Sequence, residues 1–184
     1  MPFPVGHTLA GCAVALALIP SDTPHTWGAW ALCLASANLP DLDFVPGFIA
    51  NKPMAYHRGP SHSPVAGVFA ALLGASLLTW ASLPWMTSAA LIFLAYISHV
   101  GLDYFTAGGG VLFGWPFTYR AWRAPRSLFP RVTLGRTRQS FCLSLATRRV
   151  LWASLTEALL LGPGVALFAF ARSFGLLPID SFPF

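Results

Sequence analysis

Long apolar stretches alternate with short polar interruptions along this chain, and the stretches have helical rather than strand length. Five are read as helices, running roughly from His7 to Ile19, Thr26 to Ala37, Pro64 to Leu83, Met86 to Tyr104, and Val150 to Phe174. The third, fourth and fifth reach the roughly 20 residues that a helix needs to cross a bilayer. The first two are shorter and are expected to be membrane-embedded, crossing fully or not. Turn chemistry supports these borders. Ser63 before Pro64 offers an N-cap followed by proline at the first helical position. Pro40 limits the second helix, because the residue before a proline is pushed out of α geometry. Leu83-Pro84-Trp85 makes a tight connection between the third and fourth segments, and Gly108-Gly109-Gly110 closes whatever follows the fourth.

Composition turns this pattern into a membrane protein. Of 184 residues, 55% are hydrophobic and 9% charged, against about 25% charged in ordinary soluble domains. The expected fold is all-α, an integral membrane bundle of four or five helices forming one domain over residues 1–184. The net charge of +5 does not indicate a nucleic-acid partner in so apolar a chain; it points to topology and to membrane lipid headgroups. Tyr119 to Arg149 carries eight arginines and no acid, so this basic loop (118–149) is expected in the cytoplasm. Alternating the segments from there puts ten of the eleven basic residues on that side, with Arg172 near the outer end. Cys12, Cys33 and Cys142 lack metal-ligand spacing and form no disulfide framework. No basic n-region precedes the first apolar stretch, which is expected to remain in the mature protein.

Topology also gathers the ionisable residues. His7 begins the first segment, Asp41 and Asp43 follow the second, His57 and His62 precede the third, and His99 and Asp103 close the fourth. With alternating helices all four positions fall on the cytoplasmic face. His99 and Asp103, spaced i, i+4, share one helical face. Ionisable groups are costly in such surroundings and persist when they pair, bind or react. Imidazole with carboxylate suits zinc, and also manganese or iron. Seven candidate ligands exceed the needs of one tetrahedral ion, and two ions sharing a carboxylate fit the inventory better. Arg58 could clamp a phosphate or a carboxylate, or set topology at the headgroups. Plainer roles are open too: a helix-end pair for His99 and Asp103, turn capping for Asp41 and Asp43, headgroup contact for His57 and His62. Ser61 and Ser63 are read as caps, Glu157 as a structural residue, and His25, near Asp22, as a surface residue.

The ordered set Gly6-His7-Thr8, Asn38-Leu39-Pro40-Asp41-Leu42-Asp43, His57-Arg58-Gly59 with Ser61-His62-Ser63, Ser98-His99 with Leu102-Asp103, and Trp115-Pro116-Phe117 resembles the YdjM-like family of bacterial membrane-bound, metal-dependent hydrolases. The likeness spans roughly Val5 to Phe117, a motif-bearing core (1–117), and leaves the basic loop and the last helix (150–174) unmatched. More remotely, the pattern is similar to the zinc-dependent phospholipase C and P1 nuclease group. That likeness implies metal ligands at His7, at Asp41 or Asp43, at His57 or His62, and at His99 with Asp103. The group has further histidines and a glutamate after the His-X-X-X-Asp pair. This chain has no histidine beyond His99 and offers only Glu157, which leaves one or two ions rather than three.

These readings set the expectation of a multi-pass inner-membrane hydrolase. It would cleave a phosphoester in a phospholipid or lipid-linked substrate, using one or two divalent ions, zinc foremost, at a site facing the cytoplasm. Whichever of Asp41 and Asp43 is not a ligand is expected to take a proton from water, Asp103 to bridge two ions, and Arg58 to orient the phosphate. The rivals are a transporter or channel for protons or divalent cations, with ionisable groups spread along a path, and a non-catalytic scaffold.

Overall fold

The computed structural model describes residues 4–19, 26–77, 84–106, 108–129 and 132–176. The described residues are helical apart from loops and two isolated β-bridges. In chain order the helices are α1 (Pro4–Leu18), α2 (Thr26–Asn38), α3 (Phe44–Ile49), α4 (Pro64–Leu77), α5 (Trp85–Tyr104), α6 (Arg138–Leu145) and α7 (Arg148–Ser173). The five apolar segments correspond to α1, α2, α4, α5 and α7; the short α3 and α6 are additions that the apolar pattern did not signal. α5, with 20 residues, and α7, with 26, are long and apolar enough to cross a membrane, while α1 and α4 are shorter apolar helices. The expected end of the third segment (78–83), His25 with Asp22, and Arg131 lie outside the described residues.

α5 is the axis of the bundle, packing against α1, α2 and α4, while α7 packs against α1. The core where α1, α2 and α5 cross is built from small side chains: Ala15, Ala29, Cys33, Ala37 and Ala95 surround Leu91 and Ile19. Small residues let helix backbones approach closely, the usual basis of packing between membrane helices. Gly11 shows how closely, since a Cβ there would lie 2.8 Å from the Ala37 Cβ. Asn38 adds a polar tie by donating to the Thr8 hydroxyl across the same interface. Large apolar residues face outward instead, including Phe69, Leu73, Leu159 and Leu167. Such a surface belongs in lipid.

α1 and α7 run in the same direction, tied at both ends. Near the start of α1 the Gly6 N–H donates to the Glu157 carboxylate at 3.0 Å, and at its end the Arg172 guanidinium donates to the carbonyls of Leu16 and Ile19. An acid near a helix N-terminus and a cation at its C-terminus both complement the helix dipole. Glu157 therefore has the structural role expected of it, at least toward Gly6. Beyond α5 the chain folds back over the end of the bundle. Val111 and Trp122 exchange two backbone hydrogen bonds of 2.8 Å, Ala124 N–H donates to the Tyr104 carbonyl, and Leu112 N–H reaches the His62 carbonyl. A separate cluster of Leu134, Phe141 and Ala153, with Phe48, Met54 and Val150, fastens α3 to α6 and the start of α7.

Gly11→Val should overfill the α1–α2 contact and destabilise the detergent-solubilised protein by about 1–3 kcal/mol. Gly28→Ala, whose Cβ would meet nothing within 4 Å, should leave the thermal midpoint unchanged or slightly higher. Equal losses in the two variants would contradict this packing.

Candidate metal centre

Four elements deliver polar side chains to one end of the bundle. His7 comes from the first turns of α1; Asp41 and Asp43 sit on a 3₁₀ helix (Leu39–Asp43) that continues α2; His57, Arg58 and His62 come from the loop before α4; His99 and Asp103 come from the last turns of α5. His7, His62, His99 and Asp103 are fully buried. The residues predicted from the sequence are thus brought together, although up to 96 positions separate them.

Two ring nitrogens define the middle of the site. His99 Nδ1 lies 2.8 Å from the Ala37 carbonyl oxygen, which can only accept, so Nδ1 carries a proton and Nε2 is the nitrogen turned inward. His62 Nδ1 lies 3.1 Å from Asp43 Oδ2 and 3.1 Å from the Ser61 hydroxyl, which itself donates to Asp43 at 2.7 Å. His62 Nδ1 is therefore a donor as well, and its Nε2 also points inward. The two Nε2 atoms are 3.2 Å apart. Around them, Asp103 Oδ2 is 3.2 Å from His62 Nε2, and Asp41 Oδ1 is 3.5 Å from His99 Nε2 and 3.7 Å from His62 Nε2. A tetrahedral zinc site with bonds of about 2.0–2.1 Å has ligand–ligand edges of roughly 3.3 Å. Asp41 Oδ1 and Asp103 Oδ2 are also buried oxygens without a hydrogen-bond partner among the described residues; the approach of His62 to Asp103 is not aligned as a hydrogen bond. Unpaired buried carboxylate oxygens are costly unless a cation meets them.

The negative charge that would attract a cation also favours a proton on His62, which a metal ion would have to displace from Nε2. For His62, burial opposes the charged ring, but Asp103, Asp41 and Asp43 outweigh it and lift the pKa to about 10. Burial pushes the Asp41 carboxyl up, yet the His62 and His99 imidazoles hold it below the usual carboxylate range; His57 and His62 do the same to Asp43 against the same penalty. The pocket concentrates negative charge and holds positive charge firmly.

The remaining residues surround this centre. His7 stacks on His99 with ring centroids 3.5 Å apart, and its Nε2 is 3.9 Å from Asp103 Oδ1 and 4.0 Å from Asp41 Oδ2. Neither of its nitrogens has a hydrogen-bond partner among the described residues. His57 Nδ1 lies 3.1 Å from Asp43 Oδ1 and 3.6 Å from Asp41 Oδ1, leaving Nε2 without a hydrogen-bond partner among the described residues. Asp43 is saturated: Oδ1 meets His57, while Oδ2 accepts from the Arg58 N–H at 2.9 Å and from Ser61 and also faces His62. Its geometry is that of an orienting group rather than a ligand or a base. Arg58 differs from expectation as well, since its Nη2 donates to Asp103 Oδ1 at 2.8 Å, so one Asp103 oxygen is occupied and only Oδ2 is open. Ser63 caps α4 as predicted, accepting from the Ala66 N–H, but Ser61 serves Asp43 instead.

A sequence profile of the YdjM inner membrane protein family matches residues 1–173. The chain belongs to this family. No curated protein and no solved structure matches the chain. The YdjM match extends well past Phe117, where the motif likeness ended, and takes in the arginine-rich segment and α7. With the two long apolar helices it makes this a membrane protein of an inner-membrane family. The YdjM description carries no activity, and nothing in these comparisons supports the remoter likeness to phospholipase C and P1 nuclease.

Sequence reasoning missed the Ala37 carbonyl and Tyr96, whose hydroxyl donates to the Ser61 carbonyl, and took Ser61 for a cap rather than a donor to Asp43. Tyr96 left a signal, lying three residues before His99 on the same face of an apolar helix. The backbone carbonyl left none. Because Asp43 ties His57, Arg58 and Ser61 together, Asp43→Ala in metal-stripped protein should cost about 3 kcal/mol or more, as several charge-assisted hydrogen bonds go together. Ser61→Ala should cost only about 1–2 kcal/mol. Thermal or denaturant unfolding in detergent measures both, and matching losses would refute that role for Asp43.

Proposed function

We propose that this protein is a multi-pass, metal-dependent hydrolase of the bacterial inner membrane, acting on a phosphoester of an amphipathic substrate at the cytoplasmic interface. The observation that carries this reading is the convergence of His99 Nε2, Asp41 Oδ1 and Asp103 Oδ2 on His62 Nε2, with both oxygens buried and without a hydrogen-bond partner among the described residues. His62 Nε2, His99 Nε2 and Asp103 Oδ2 would hold the ion and leave the fourth position, beside Asp41 Oδ1, for a water; the His62–Asp43 and His99–Ala37 contacts behind them fix both ring orientations, as outer-sphere partners of metal ligands do. Imidazole with carboxylate favours zinc, with manganese and iron as alternatives. Charge favours a single ion. Asp41, Asp43 and Asp103 against Arg58 leave two formal negative charges, which one divalent cation balances, and Arg58 already covers the Asp103 oxygen that a second ion would need.

When bound, the metal supplies a Lewis acid for a phosphoryl oxygen and a water of lowered pKa. The chain's own groups do the rest. His57, oriented by Asp43 and lining the adjoining cavity, is the group placed to take a proton, in place of the saturated Asp43. Arg58 holds Asp103 in position with one nitrogen and keeps the other side of its guanidinium toward the cavity. An apolar groove of about 440 Å³ between α1, α5 and α7 includes Ala10, one turn beyond His7, and Ser98, next to His99. It supports an acyl-bearing substrate whose headgroup meets the centre from the membrane side. The arginine-rich segment supports the cytoplasmic orientation. A transport path is disfavoured, because the titratable cluster gathers at one end of the bundle.

Detergent-purified protein reconstituted with zinc, manganese or iron should retain about one equivalent by inductively coupled plasma mass spectrometry. His99→Ala and Asp103→Asn should lose both the metal and hydrolysis of phosphoesters, water-soluble or lipid. A wild type that stays empty with all three ions sinks the hydrolase reading. A loaded wild type inactive on every phosphoester class would return the site to a structural role.

A further inference from the structure

Outside the metal centre the chain forms two adjoining cavities that share Gly108 and Gly109. One, of about 430 Å³, is lined by His57, Arg58 and Arg136 among others; the second, of about 650 Å³, includes Arg123. Ligand sites commonly fall in this size range. From Thr106 to Arg149 the chain contains no Asp or Glu, and neither Arg123 nor Arg136 has a carboxylate partner among the described residues. Both are exposed, whereas the Arg58 side chain is nine-tenths buried and built in. Arg58 adopts a left-handed backbone conformation, with φ of 65°, fixed by its N–H bond to Asp43. Its guanidinium spans the boundary between the two regions. Nη2 holds Asp103 on the metal side, while Nη1 lies so near Gly108 that a Cβ there would come within 3.1 Å.

From this arrangement we infer that the paired cavities are a headgroup site for a net-anionic phosphorylated lipid, one carrying a phosphomonoester or diphosphate, and that they select against zwitterionic phospholipids. Arg123 and Arg136, which have no carboxylate partner among the described residues, and the Nη1 side of Arg58, whose Nη2 is taken by Asp103, suit an anion carrying more than one charge. The ammonium of a zwitterionic headgroup would find no counter-charge there. The inference deepens the proposed phosphoester hydrolysis and rests on it for the fate of the headgroup, but binding itself is testable without turnover.

The test uses the full-length protein in detergent micelles, titrated with dioleoyl phosphatidic acid or dioleoyl phosphatidylcholine and read by native mass spectrometry, with metal content measured on the same samples. Wild type should prefer phosphatidic acid. Arg123→Gln with Arg136→Gln should weaken that binding by roughly tenfold or more while leaving metal content and phosphatidylcholine binding unchanged. Arg148→Gln with Arg149→Gln, an equal loss of charge away from the cavities, should leave the preference intact. Glycerol 3-phosphate should not displace the lipid at comparable concentration; displacement would reassign the site to a soluble phosphate. No lipid preference in wild type, or equal weakening by the two double variants, overturns the headgroup site. Selective binding by a protein that takes up no metal supports the site and refutes the hydrolase reading instead.

Discussion

Three carboxylates packed into the end of an apolar bundle are the constraint on which the rest of this structure depends. Removing even one carboxylate from water costs several kcal/mol after relaxation, and Asp41, Asp43 and Asp103 all lie 3.1–3.7 Å from the ring nitrogens of one imidazole, His62. The local architecture answers that cost. Arg58 is bent into a left-handed conformation to meet Asp103, and Ser61, His57 and the Arg58 N–H converge on Asp43. His7 is stacked against His99. What stays unanswered is one oxygen on Asp41 and one on Asp103, and those two atoms bound the region where a divalent cation fits.

The helices are arranged to make this convergence possible. α5 brings His99 and Asp103 as an i, i+4 pair, and the small residues at its crossing with α1 and α2 allow the start of α1 and the end of α2 to close on it. The ties from Glu157 to Gly6 and from Arg172 to Leu16 and Ile19 set the depth of α1 against α7, and so the height at which His7 enters. Beyond α5 the polypeptide turns back across the site, contributing the glycine-lined cavities and their arginines. Activity and headgroup recognition are proposed for two adjacent regions joined by one residue, Arg58.

Much of this was legible in the sequence because period and charge carry it. Apolar length implies five helices, and their alternation places His7, Asp41, Asp43, His57, His62, His99 and Asp103 at one end. The omissions have physical reasons. α3 contains Pro46 and Gly47, residues that read as a turn, and it is helical because Gly47 lets the Lys52 and Pro53 carbonyls pass where a Cβ would clash at 2.5 Å. α6 is short and polar, started by the Thr137–Ser140 capping box. Neither the division of labour between Asp41 and Asp43 nor the pairing of His99 with a backbone carbonyl is encoded in spacing. Both depend on how a 3₁₀ helix meets a loop. The basic segment read as a signal of topology and of headgroup contact, because nothing in its composition reveals that it folds back beside the site.

X-ray absorption fine structure of the zinc-loaded protein would read the proposed coordination shell itself. Four nitrogen or oxygen neighbours at about 2.0–2.1 Å are expected, with the multiple-scattering signature of two imidazoles and no sulfur. A sulfur neighbour, or a shell of oxygens without imidazole, would contradict the proposed site.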